Sequence, residues 1–462
     1  MVILFSREVP DGETAISAMP AQLAEPVIPA TGGVRHIAWG AVVLLAVMLL
    51  GGALMRAVFG PLQEAAKLDL GLSDFQISLV QGLATGLPIL LFSLPVAWVI
   101  DHGHRVRLLI GLLAICIIGT FWTGFASGFD TLFMARMLSS LGATCAISVT
   151  ISLAADLCAA EKRGRALIAL SIGVYVGSAA AFALGGALLG AFSAHSITLF
   201  GPMAPWRATH LVIGILGAFI VLPLLAMKEP PRREVEQTSH ALRPALTALW
   251  GRRRFLIPLF VGQLGVSMAD AAAFIWATPV LIRHFHQQPA QFANWVGAVI
   301  LLSGLVGSAL GGISADWGQK TRKRGFILIG AVIATIVGVP AALYPVMPTV
   351  GLFGVLFGVL LLSGTIISLV ASTAVAVLIP NEERGVCMSA FGIVNSIVGL
   401  TLAPTLVTLG STALGGEQHL GEALAITGVI TGLLSVAGYV FAMINAPDPA
   451  ADVLDKGIKA PA

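Results

Sequence analysis

Charge is scarce in this chain: 11% of its 462 residues are Asp, Glu, Lys or Arg, where a soluble domain carries roughly 25%. With 57% hydrophobic residues and a mean hydropathy of +0.93, that shortage excludes a soluble domain and leaves a membrane protein. Cysteine is nearly absent. Cys116, Cys145, Cys158 and Cys387 fall within expected spans or at their cytoplasmic ends, so neither an extracellular disulfide nor a CxxC metal pair is expected. The chain has no GxxxxGK[ST] phosphate loop, which argues against a built-in ATPase, and no cofactor is expected. The N-terminus is not expected to act as a secretory signal, because its apolar run 2–5 is too short and leads into Arg7, Glu8, Pro10 and Asp11. Residues 1–36 show no periodicity and are expected as a cytoplasmic tail.

Long apolar runs dominate instead. A span needs about 20 apolar residues to cross ~30 Å of hydrocarbon. Twelve candidates lie near 37–59, 76–99, 108–127, 131–157, 166–190, 208–227, 255–281, 295–315, 325–345, 350–378, 386–409 and 423–444. Small residues at four-residue spacing, such as Gly173 and Gly177, suit close helix packing in lipid. Of the 26 Lys and Arg, 21 fall in segments on the side of the termini. Only Lys67, Arg207 and Arg283 fall in the opposite loops, and Arg56 and Arg136 lie within spans. The positive-inside rule therefore puts both termini in the cytoplasm. The chain divides into bundles at 37–227 and 254–444, a linker at 228–253 and a cytoplasmic tail at 445–462. The end of the linker, with Leu242, Leu246, Leu249 and Trp250 beside Arg243 and Arg252–Arg254, is either an interfacial amphipathic helix or an unstructured basic segment.

The two bundles repeat a motif. PVAWVIDHGHRVR (95–107) carries Asp101, Gly103, Arg105 and Arg107, and GGISADWGQKTRKR (311–324) carries Asp316, Gly318, Lys320, Arg322 and Arg324. A second echo pairs Arg163-Gly164 with Arg384-Gly385. Repeats of this length mark a duplicated membrane bundle, the architecture with which secondary transporters build a site open to either side.

Six plus six helices with these motifs resemble the major facilitator superfamily over residues 37–444. GLSDFQISLVQGLATG (71–86), MARMLSSLG (134–142) and WATPVLIRHF (276–285) are similar to segments of its bacterial spinster-like branch. The resemblance implies an all-α polytopic membrane protein, with twelve transmembrane helices in two pseudo-symmetric six-helix bundles. It also implies that the first, fourth, seventh and tenth helices line a central cavity. Asp101 and Asp316 are then expected to latch helix ends in the outward-facing state, with Gly103, Arg105, Asp156, Arg163, Gly318 and Arg384 completing the gating set. The alternative is a solvated turn whose charges only set topology. Two departures stand out: the branch has an acid before its first-helix arginine and a glutamate after its fourth-helix motif, where this chain has Met55 and Ala143.

A charged side chain in mid-bilayer costs at least ~2.5 kcal/mol, so each one needs a reason. Arg56, Arg136 and Asp270 qualify, and Asp270 is the one acid deep in an expected span. The functional reading is a cleft whose arginines receive an anionic head group. Asp270 competes for them or takes up a proton, standing in for the missing acids. The alternative is a structural salt bridge that never meets substrate. Gln263 lies two turns before Asp270, on the same helix face. Tyr175, Trp276, Asn395 and Gln81 are further cavity candidates, each with helix–helix hydrogen bonding as its rival role. The His102/His104 and His284/His286 pairs lack supporting ligands, and no metal is expected.

These readings converge on a monomeric secondary transporter of the bacterial inner membrane, not an enzyme, working by alternating access. The expected substrate is an amphiphilic anion or zwitterion such as a lysophospholipid or sphingoid phosphate, with proton coupling through Asp270. The expected partners are that small-molecule or lipid substrate, membrane lipids and protons, with no nucleic acid. The rivals are a proton-coupled carrier of small organic carboxylates or drugs, and a non-transporting sensor or scaffold.

Overall fold

The computed structural model describes residues 38–159, 162–195, 201–232, 242–321 and 323–447. Glu161 and Arg322 of the repeated motifs lie outside these residues, as do the N-terminal tail and residues 448–462. Among the described residues, twelve helices are long and apolar enough to cross a membrane. Spans 1 to 6 are Trp39–Leu70, Asp74–His102, Arg105–Gly124, Phe129–Leu157, Arg163–Ala194 and Pro205–Ala226. Spans 7 to 12 are Arg253–Arg283, Pro289–Lys320, Phe326–Val346, Val350–Leu378, Glu383–Ala413 and Glu417–Ile444. Twelve crossings put the start of span 1, the end of span 12 and the link between spans 6 and 7 on one side, called here the linker side.

Span 1 runs eleven residues past its expected end. The apolar run stops near Phe59, but Gly60-Pro61-Leu62-Gln63-Glu64 continues the helix to a left-handed glycine, Gly71 at φ 63°. The extension matters because it carries Gln63, Glu64 and Lys67 on a rigid helix rather than a loop. Span 2 begins with a capping box in which Ser73 and Gln76 satisfy each other's backbone donors. Spans 2 and 11 each contain a π-helical stretch, Leu79–Leu83 and Asn395–Leu402.

Small residues let the helices close on one another. A methyl group at Gly173 or Gly177 would collide with the Ala46 or Leu50 carbonyl of span 1, so spans 1 and 5 pack backbone to backbone. Spans 5 and 8 join the two halves in the same way: a side chain at Gly186 would overlap Ala293, and one at Gly297 would meet the Ala179 carbonyl. In the linker, Leu242–Gly251 is a helix.

Candidate functional site

A cavity of about 340 Å³ lies between the halves, with Arg56, Gln81, Thr85 and Arg136 on one wall and Ser267, Asp270, Phe274, Leu361, Ser368, Asn395 and Leu400 on the other. Thus spans 1, 4, 7 and 10 all reach it, together with the π-helical parts of spans 2 and 11. Arg136 is 1% exposed, donates from Nη2 to the Arg56 carbonyl at 2.6 Å, and lies 5.1 Å over the Phe59 ring. Its Nε and Nη1 are enclosed without a partner. A buried guanidinium with two idle donors is costly unless a ligand supplies acceptors. Neither Arg56 nor Arg136 forms an ion pair among the described residues.

Asp270 sits opposite, its carboxylate seated against Gly364 of span 10. Any side chain at 364 would overlap it. Its Oδ1 is enclosed with no donor. Asn395 accepts from Ser267 Oγ, so the polar wall is pre-ordered.

Three of the proposed substrate residues do not line this cavity. Gln263 is 3% exposed and is held by Tyr439 (2.8 Å), Ser267 (3.2 Å) and Ser368 (3.1 Å), behind the wall. Trp276 is fully buried and donates Nε1 to the Pro404 carbonyl at 3.2 Å, tying span 7 to span 11. Tyr175 approaches Ser308 at 3.4 Å, and its ring fills the space above Gly304. The missing family acids have a structural counterpart. Met55 is fully buried and fills the space over Gly217 of span 6, so position 55 faces away from the cavity.

On the linker side, Arg105 is the hub. It pairs with Asp156 and, at 3.0 Å, with Glu229 of the linker. Glu229 also accepts the Val106 N–H at 2.8 Å, capping the first turn of span 3. Arg232 donates to the carbonyls of Ile100, Asp101 and Gly103, closing the C-terminus of span 2. The carboxylates of Asp101 and Asp316 are exposed and unpaired among the described residues. Gly103 does not need glycine for its torsions, since φ is −103° and ψ −171°. It is tight because a Cβ would come 2.9 Å from the Val99 carbonyl. Gly318 lies against the backbone of Ile327, Arg163 donates to the Ala155 carbonyl at 3.3 Å, and Arg384 to that of Ile379 at 3.2 Å. None of these contacts joins the two halves.

The cluster that sequence reasoning missed lies at the other end. Arg283 of span 7 grips Glu64 of span 1 with Nε and Nη2 (2.8–3.1 Å) and Asp74 of span 2 with Nη1 and Nη2 at 2.7 Å. Lys67 pairs with Asp74 at 2.7 Å and with Glu417 of span 12. Glu417 also accepts the Asp74 N–H at 2.8 Å. Each half therefore sends a cation to the other's carboxylates. The signal was the acid–base spacing of Glu64, Lys67 and Asp74, which looked like loop charge because span 1 was ended too early.

The family model of the Major Facilitator Superfamily matches residues 44–404. A "Probable sugar efflux transporter" of Mannheimia succiniciproducens is 25% identical over 374 residues, 78% of this chain and 85% of its own. A "Probable 4-methylmuconolactone transporter" of Cupriavidus pinatubonensis is 25% identical over 344 residues, 71% of this chain and 75% of its own. Among solved structures, a bacterial homologue of the human lysosomal transporter Spinster, inward-facing and occupied, superposes with a TM-score of 0.73 at 19% identity, covering 93% of this chain and 100% of that one. The nucleoside transporter NupG gives 0.63 at 12% identity, over 87% of this chain and 97% of its own. The structural likenesses establish the fold, and the family match covers most of the sequence. This chain belongs to the Major Facilitator Superfamily and is a multi-pass membrane transporter of twelve helices.

Proposed function

We propose that this transporter moves an organic anion with an apolar body by alternating access, its six-helix halves, 37–227 and 254–444, rocking about the central cavity. The observation that carries this reading is the pair of guanidinium groups, Arg56 and Arg136, facing the cavity without a carboxylate partner, with two Arg136 nitrogens idle. An anionic head group would supply the missing acceptors, and Phe274, Ile275, Leu361 and Leu400 would hold its apolar part. Asp270 is the acid through which a proton would couple. With the termini in the cytoplasm, as the positive-inside count requires, the far-side lock is extracytoplasmic, and this state is closed to the outside. Asp101 and Asp316, unpaired here, are then positioned to latch helix ends when the cytoplasmic side closes.

The sequence likeness to the spinster branch supports an amphiphile such as a lysophospholipid or sphingoid phosphate. The cavity favours a second reading: 340 Å³ is at the lower end of small-molecule sites, and it suits a compact carboxylate unless a lipid chain leaves between helices. Thermal-shift titration of purified protein with oleoyl lysophosphatidate, sphingosine-1-phosphate and benzoate separates them, because a ligand that prefers the folded state raises the melting temperature. The anion reading expects a shift with at least one of these, lost in Arg136→Gln. No shift with any anion, or an equal shift in Arg136→Gln, refutes it. Uptake by Asp270→Asn that matches the parent at every pH removes the coupling role.

A further inference from the structure

The far-side ion pairs are not the sole bond between the halves at that end. Span 7 contains Pro279, which has no N–H, so the carbonyl four residues earlier, Ile275, lacks its helical donor. Gln63 of span 1 supplies it: Nε2 donates to the Ile275 carbonyl at 2.5 Å. Gln63 is 1% exposed, so neither partner is readily served by water in this state. The other end of the same amide is also engaged. Gln81, in the π-helical stretch of span 2 and on the cavity wall, donates Nε2 to Gln63 Oε1 at 3.0 Å.

The result is a chain of one polarity, from Gln81 N–H to the Gln63 amide to the span 7 carbonyl. Donation into an amide oxygen makes its N–H a better donor, so the two bonds strengthen each other. The first link faces the cavity. The second crosses between the halves, one residue before Glu64 on span 1 and two turns before Arg283 on span 7.

We infer that Gln63 is a positioning residue through which the cavity-facing Gln81 sets the strength of far-side closure, an inference that rests on the alternating-access reading. A solute that takes the Gln81 amide for itself leaves Gln63 a weaker donor, loosening the bond that holds span 7 and Arg283 against span 1. The lock at the membrane surface thereby senses the cavity without touching it.

The test needs no substrate, so it stands apart from the choice of anion. Spin labels at Leu68→Cys and Gln418→Cys, on opposite halves beside the lock, report the far-side-open population in nanodiscs, the native cysteines being buried. Losing one such hydrogen bond is expected to raise that population about fivefold in Gln63→Met, a change of similar shape. Gln81→Leu is expected to give a smaller rise, about twofold, and to add nothing on top of Gln63→Met. In a Pro279→Ala background residue 279 regains its N–H, and Gln63→Met should then change the population less than about twofold. A folded Gln63→Met at the parent population overturns the inference. So does an equal effect with and without Pro279, or full additivity of the Gln81 and Gln63 substitutions.

Discussion

Arg283→Ala is the most direct perturbation of the closed end. The arginine contributes charge-assisted bonds to two carboxylates whose side chains are 9% (Glu64) and 3% (Asp74) exposed. After truncation Lys67 still serves Asp74 and Glu417, and Glu64 is left with no cation. An abandoned buried charge costs about 3–5 kcal/mol where solvent cannot reach it. Glu64 borders a cavity of about 750 Å³ shared with Lys67, Glu417 and Glu422, where water relieves part of that cost. We therefore take roughly 2 kcal/mol, toward the lower end for a severed charge pair. Because the far-side-open state has already separated these groups, the whole amount appears as a shift toward it, about thirtyfold. Amide hydrogen exchange over Gln63–Leu72 should accelerate by a similar factor, while the buried middle of span 4 stays protected. Arg283→Lys, which keeps the charge and loses the fork, should fall between. Unchanged exchange in folded Arg283→Ala would show that the cluster is surface decoration and not a lock.

Two further perturbations address the cavity and the linker side. Gly364→Ala places a methyl group inside the Asp270 carboxylate and must displace it from its seat in the cavity wall. Anion affinity by thermal shift should drop tenfold or more (about 1.4 kcal/mol), and parent affinity would mean that the Asp270 seat is irrelevant. Glu229→Ala removes one ion-pair partner of Arg105 and the cap on Val106. With Asp156 still in place, the loss should be about 1 kcal/mol, seen as faster proteolysis of the 2–3 loop; equal cleavage rates would count against the linker clamp.

How much of this was readable beforehand differs by level. The span count followed from apolar length, since burying a backbone in lipid demands a continuous helix. The gathering of Arg56, Arg136 and Asp270 at one cavity came from the cost of charge in lipid joined to the resemblance. The sequence left Gln81, Asn395, Trp276 and Tyr175 open, because a polar group in a span has the same signature whether it faces solute or a neighbouring helix, and Gln263 was placed with Asp270 by helical spacing alone. Here Gln263 meets Tyr439, and Trp276 meets the Pro404 carbonyl. The far-side lock was hidden for another reason. Hydropathy ends a helix where charge begins, whereas Glu64 and Lys67 stay helical because charges from the other half neutralise them, and the Gln63 amide is satisfied by Gln81 and the Ile275 carbonyl. The Arg105–Glu229 contact was equally invisible, since nothing local says that a linker residue folds back onto the 2–3 loop.

One proline of the C-terminal half bears directly on the interface between the halves. Pro279 in span 7 strips the Ile275 carbonyl of its helical donor. The freed carbonyl turns toward the other half. Ile275 meets Gln63, and Leu400 lies so near Gly82 that a Cβ there would come within 2.9 Å of it. A carbonyl paired inside its own helix could contribute nothing to an interface that must part and re-form. One released by proline can take a partner from across the gap when the halves are together and a water molecule when they separate. The net cost of that exchange is about 1 kcal/mol, small enough to be crossed in every cycle. Glycine at 82 serves the same seam by another route: it lets span 2 approach the Leu400 and Thr401 carbonyls of span 11 backbone to backbone, where any side chain would clash.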